Sequence, residues 1–173
     1  MSCEKLKEIE ISSSITKLNN YCFNECSNLS KINIPNSITK IGDYCFRNCG
    51  KLKEINIPNS VIKIGENCFD KCEKLKEIEI PNSITKLNNY CFNECSNLSK
   101  INIPNSITEI GDYCFRKCTN LSNINISNSV IKIGENCFYG CLNLKEIEIL
   151  KPNDFINSVI KLNELYLINT IIY

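Results

Sequence analysis

LSKINIPNSITKIGDYCFRNCGKL, residues 29–52, decides the fold, because almost everything else in the chain is a copy of it. Leu6, Leu29, Leu52, Leu75, Leu98, Leu121 and Leu144 stand 23 residues apart. Between them runs one template, L-x-x-I-x-I-P-N-S-[IV]-x-K-[IL]-[GN]-x-x-C-F-x-x-C-x-x-L. A fixed period of this length is the signature of a solenoid, in which each unit buries its apolar side only against its neighbours. Residues 5–80 match residues 74–149 at all but thirteen positions, so a longer period of three coils is superimposed on the short one.

Each template changes period twice. Ile32 and Ile34 alternate with Lys31 and Asn33, the period of two of a half-buried strand. Pro35, Asn36 and Ser37 end it, since proline donates no ladder hydrogen bond and Asn and Ser favour turns. Ile38 and Ile41 then predict a second short extended or turn segment on another side of the coil. Gly42, Gly65, Gly111 and Gly134 share the next position with Asn19, Asn88 and Asn163. Both residue types tolerate a left-handed backbone, so a positive-φ corner is expected there. Cys45, Phe46, Cys49 and Leu52, spaced i, i+1, i+4, i+7, predict the apolar face of a short helix.

Residues 1–149 therefore form one array whose first coil is truncated, and residues 150–173, where LKPNDFI breaks the register, form an irregular last coil and C-terminal cap. The tail LYLINTIIY is too short for a membrane span, which needs roughly 20 apolar residues. The opening MSCEKLKEIE has no basic stretch followed by an apolar one. With thirteen cysteines expected to be mostly reduced, the location expected is cytoplasmic, with the cell surface as the alternative.

The run IP-x-S-V-x-x-IG-x-x-[AC]F-x-x-C-x-x-L resembles the BspA-like class of leucine-rich repeats, which occurs in bacterial surface proteins and in parasitic protists. The likeness covers residues 3–149. Members usually carry Ala before the Phe, where this chain has Cys22, Cys45, Cys68, Cys91, Cys114 and Cys137. The resemblance implies an α/β repeat: a right-handed superhelix with one short strand per coil on the concave face and a short helix or turn on the convex side. It also implies adhesion or other protein recognition, and it brings no catalytic residues.

The C-x3-C pairs admit three readings. Two stacked pairs offer four ligands to zinc, but their presence in every coil argues for structure. Disulfide rungs between coils are geometrically possible, but a ladder gives each thiol two equivalent partners. Small apolar side chains filling the coil beside a Phe ladder is the preferred reading. The Asn row at Asn36, Asn59, Asn82, Asn105 and Asn128 is expected to satisfy backbone groups at the repeated turn.

Function in a solenoid usually lies on the concave sheet. Its outward positions are Glu8, Lys31, Glu54, Glu77, Lys100, Asn123 and Glu146 in one row, and Glu10, Asn33, Asn56, Glu79, Asn102, Asn125 and Glu148 in the other. Seven Glu against two Lys leave these rows at −5, bordered by Lys7, Lys53, Lys76 and Lys145. Neither row holds the Trp, Tyr or Arg that dominate binding hot spots. A secondary candidate surface carries Tyr21, Tyr44, Arg47, Tyr90, Tyr113 and Arg116.

With a formal charge of +1, nothing pulls the chain toward nucleic acid or an anionic membrane. With no His, no Gly-rich phosphate loop and no asymmetric cluster, no enzyme, cofactor, metal site or small-molecule substrate is expected. The expected function is a non-catalytic protein-binding scaffold for an unidentified protein partner. The alternatives are cell-surface adhesion to host matrix or cells, and a structural role with self-association through the uncapped N-terminal edge.

Overall fold

The computed structural model describes Cys3 and residues 5–149, the side chains of 146–149 excepted. The predicted cap at 150–173 and Asn163 lie outside the described residues. Twelve short strands, β1 to β12 in chain order, are present among them, with no helix. They form two parallel ladders on separate faces of the coil. The first contains β1 (Glu8–Glu10), β3 (Lys31–Asn33), β6 (Glu77–Glu79), β8 (Lys100–Asn102), β10 (Asn123–Ile126) and β12 (Glu146–Ile149). The second contains β2 (Lys17–Leu18), β4 (Lys40–Ile41), β5 (Lys63–Ile64), β7 (Lys86–Leu87), β9 (Glu109–Ile110) and β11 (Lys132–Ile133). Every pair is in register at the sequence period, as in Ile9↔Ile32, Leu18↔Ile41 and Ile124↔Ile147. Bridging in the first ladder is discontinuous: it holds the pairs β1-β3, β6-β8 and β10-β12, and at the third coil a single bridge, Asn33↔Asn56.

The period of two sets this outcome. Ile32 points inward between exposed Lys31 and Asn33, and Ile78 does so between Glu77 and Glu79. Both ladders close on one continuous core, to which each coil contributes the same inward set: for example Ile32, Ile34, Ile38, Ile41, Cys45, Phe46, Cys49 and Leu52, all buried. Phe23, Phe46, Phe69, Phe92, Phe115 and Phe138 stack along the axis with centroids 5.4–5.7 Å apart and planes within 8°. A buried Phe contributes roughly 1.5–3 kcal/mol of transfer free energy, so this column is a principal stabiliser.

Three expectations need correction. The segment expected to be helical is a ribbon of consecutive turns. Arg47 N–H donates to Tyr44 O (3.2 Å), Cys49 N–H to Phe46 O (3.1 Å) and Leu52 N–H to Cys49 O (3.0 Å), while Tyr44, Phe46 and Asn48 donate to the next coil at Glu66, Cys68 and Asp70. Alternate N–H groups thus serve the neighbouring coil, which a helix, spending each on its own chain, does not allow. Two residues per coil take positive φ to make this possible, such as Tyr44 (57°) and Asn48 (58°) or Asn67 (51°) and Lys71 (59°).

The glycine corner is not among those positive-φ positions. Gly42 is required instead by close approach: a Cβ there would lie 2.5 Å from both the backbone N and Oδ1 of Asn20. That Oδ1 accepts the Asp43 N–H at 2.9 Å. Gly65, Gly111 and Gly134 face Asp43, Asn89 and Asp112 in the same way. Glycine therefore stands wherever the preceding coil carries this short Asx side chain. Where the preceding coil carries the longer Glu66, the residue is Asn88. Its side-chain amide donates to Ile64 O (2.6 Å), as the Gly42 N–H does to Leu18 O (2.8 Å). The second ladder breaks at this junction, into β2-β4-β5 and β7-β9-β11.

The third correction concerns the turn after the first strand. Serine, not asparagine, satisfies the backbone there: Ser37 donates to Ile15 O at 2.7 Å, and Ser60, Ser83, Ser106 and Ser129 repeat the bond one coil on each time. Asn36, Asn59, Asn82, Asn105 and Asn128 are exposed.

Candidate functional site

The first ladder brings together the outward residues read from the period. Glu8 and Lys31, Glu10 and Asn33, Glu77 and Lys100, and Glu79 and Asn102 are register partners, as are Asn123 and Glu146, and Asn125 and Glu148. A shallow groove runs between Glu10 and Glu79, walled by Lys31, Asn33, Glu54, Asn56 and Glu77, and passes over Ile32, Ile55 and Ile78, whose side chains are buried in the core. Lys53 and Lys76 line a neighbouring depression that shares Lys31, Glu54 and Glu77 with it. Lys100 Nζ lies 4.0 Å from Glu77 Oε2 with both side chains well exposed, a contact worth little in water. The face is polar, open and partly charge-compensated.

The secondary surface is differently built. Tyr21 stacks on Tyr44 (centroids 4.8 Å) and Tyr90 on Tyr113 (4.7 Å). Asn67 interrupts the column between the two pairs. Arg47 and Arg116 are engaged in an inter-coil chain of polar contacts. Arg47 Nε donates to Asp70 Oδ2 (3.0 Å), Asn93 Nδ2 to Asp70 Oδ1 (2.7 Å), and Arg116 NH1 to Glu94 Oε1 (3.1 Å), with the Arg116 guanidinium 5.8 Å from the Tyr139 ring centre. Asp70 and Asn93 are only 5% and 6% exposed. Partial burial pushes the Glu94 carboxyl up, but Lys117, Lys71 and Arg116 outweigh it and hold it below the usual carboxylate range. These arginines already have partners within the fold.

Ten cysteines are buried as free thiols, Cys22 is exposed, and Cys3 is disulfide-bonded to Cys26 with Cα atoms 4.9 Å apart. The second thiol of each pair is more than a filler. Cys49 donates to Phe23 O at 3.2 Å, and Cys72, Cys95, Cys118 and Cys141 donate likewise to the Phe of the preceding coil at 3.0–3.1 Å. Burial pushes the Cys49 and Cys141 thiols up to about 12, and raises Cys68, Cys72 and Cys118 well above the ordinary thiol value. All five are neutral thiols rather than nucleophiles, and Cys49, Cys72, Cys118 and Cys141 among them are donors.

One row escaped the sequence reading although it stands in the template as x-K-[IL]. Lys17, Lys40, Lys63, Lys86, Glu109 and Lys132 occupy one outward column of the second ladder. Lys17↔Lys40↔Lys63 are consecutive register partners. Lys86 pairs with Glu109 at 2.9 Å and holds that carboxyl below its usual range. The available signal was the column itself, visible once the chain is stacked at its period.

The geometry agrees with what is known of similar proteins. The family described as BspA type leucine rich repeat region matches in six copies over residues 1–88 and 39–164. A leucine rich cell surface protein of Faecalibacterium prausnitzii is 30% identical, with a TM-score of 0.78 over 83% of this chain and 39% of its own. A leucine rich repeat protein of T. pallidum, at 22% identity, superimposes with a TM-score of 0.65 over 91% of this chain and 84% of its own. A leucine-rich repeat protein of Bacteroides ovatus, at 26% identity, gives 0.55 over 86% and 56%. The chain thus spans about two fifths of the Faecalibacterium protein's length. No curated protein matches it in sequence. The unbroken period, the paired parallel ladders and the family match together make this chain a member of the BspA-type leucine-rich repeat family.

Proposed function

We propose that the chain is a non-catalytic protein-binding scaffold whose first ladder receives the partner. The observation that carries this is the open run of outward polar side chains at fixed spacing, from Glu8 and Glu10 to Asn123 and Asn125. Such a face offers hydrogen-bonding groups along a line. A photo-crosslinking residue placed at Asn56 or Asn102 tests it in native cells. Discrete protein adducts from both positions, absent when the same residue stands at exposed Asn59, are expected. Adducts equally abundant from Asn59, or none from Asn56 and Asn102, would remove the reading.

Adhesion at the cell surface is the second reading. The similarity to a leucine rich cell surface protein and the Cys3–Cys26 bond favour it, whereas ten buried free thiols favour a reducing compartment. Alkylation under denaturant without reductant, read by intact mass, separates them. Thirteen modified cysteines place the native protein in a reducing compartment; eleven retain the bridge and favour the surface.

A further inference from the structure

The lysine row of the second ladder has no role in the protein-binding reading and does not rest on it. Lys17, Lys40 and Lys63 are exposed, in register on three adjacent strands, and joined to no carboxylate by an ion pair among the described residues. Neighbouring strands lie about 4.8 Å apart, so three ammonium groups are held in line at close quarters. Like charges directly opposite one another in a sheet are destabilising. In PNSITKIG (35–42) and PNSVIKIG (58–65) the lysine is the only charged residue. The next acidic column, Asp43 and Glu66, begins beyond the corner, where Asp43 accepts the Glu66 N–H at 3.0 Å.

The chain contains its own control. At the equivalent rungs of the second half the order is Lys86, Glu109, Lys132, with a 2.9 Å ion pair at the first step. The fold accepts a compensated column, so packing does not demand three lysines in succession.

We propose that the Lys17–Lys40–Lys63 row is a binding site for a linear sulfated polysaccharide. A lysine ammonium is a point charge on a flexible stem, able to follow anionic groups along an extended chain. Sulfate esters stay ionised throughout the accessible pH range and present free oxygens to such donors. Ile62, 57% exposed and next to Lys63 in the chain, suits the C–H face of a sugar ring. Nucleic acid fits less well. Single strands are held by aromatic stacking platforms and Arg, and none stands on this strip, since the tyrosines and arginines lie in the turn ribbon, stacked or ion-paired.

Heparin is the probe, with affinity measured across a salt series. The wild-type chain is expected to bind at low salt. K17Q/K40Q/K63Q is expected to lose at least about tenfold in affinity and to flatten the dependence of log K on log salt by about 2. K31Q/K53Q/K76Q removes the same charge from the rim of the first ladder and is expected to keep wild-type binding. Lys40→Glu recreates the Lys–Glu–Lys order already present in the chain, so it folds, and it is expected to reproduce the loss. Absence of wild-type binding, an equal loss in both triple variants, or unchanged binding by Lys40→Glu would overturn the proposal. Displacement of heparin by a lower concentration of a single-stranded oligonucleotide would replace it with a nucleic-acid site.

Discussion

A buried thiol that donates to a carbonyl is tied to its protonation state in a way a buried methyl is not. Cys49, Cys72, Cys95, Cys118 and Cys141 each hold the carbonyl of a Phe in the preceding coil. Burial lifts these thiols above the ordinary 9.0, to about 12 for Cys49 and Cys141. The sign follows from proton counting. Above pH 9 the unfolded chain releases thiol protons that the folded chain retains, so stability is complete below about 9 and falls as pH rises toward 12. Each buried thiol contributes about 1.4 kcal/mol per pH unit in that window. Urea midpoints are therefore expected to hold between pH 7 and 8.5 and to drop steeply from pH 9 to 10.5. A flat profile across that range would mean that the thiols do not remain neutral and buried. The exposed Cys22 is expected to be the one free thiol that alkylates quickly in the native protein.

At the scale of the element, the corner between the second ladder and the turn ribbon sets which coils are compatible. Gly65→Ala places a Cβ against the backbone and carboxylate of Asp43 and is expected to cost on the order of 3 kcal/mol. Gly65→Asn alone is expected to be at least as harmful. Combined with Asp43→Glu it recreates the Glu66–Asn88 pairing, and a denaturation double-mutant cycle is expected to show recovery of more than half the loss. Additive losses would show that glycine answers to something other than its neighbour's Asx side chain. The strands were legible because a period of two admits few alternatives. The ribbon was not, since Cys45, Phe46, Cys49 and Leu52 carry the stripe of a helix, and the left-handed positions hold Tyr, Glu and Lys beside the more suggestive Asn48, Asn67, Asn136 and Gly140. The first-ladder rows were likewise legible from alternation alone. The lysine column and the arginine partners were not, because both are contacts between residues 23 positions apart.

For the molecule as a whole, a formal charge of +1 conceals a separation of sign, with carboxylates prevailing on one ladder and ammonium groups on the other. The sum over the chain says little about what either face attracts. The corner glycines have a consequence at this scale as well: they act as a grammar for editing the array. Removing residues 29–51 joins the coil bearing Asn20 to the one bearing Gly65, an order the chain already uses. Removing residues 52–74, a deletion of identical length, joins Asp43 to Asn88, an order it never uses. The first shortened protein is expected to fold cooperatively and the second to lose several kcal/mol or fail to fold, as circular dichroism during thermal melting will distinguish. Under such a rule a gene gains or loses a block of three coils without any mismatch at the seam. Copying single coils succeeds only at permitted seams, so the 69-residue duplication between residues 5–80 and 74–149 is a step that selection on folding would let through.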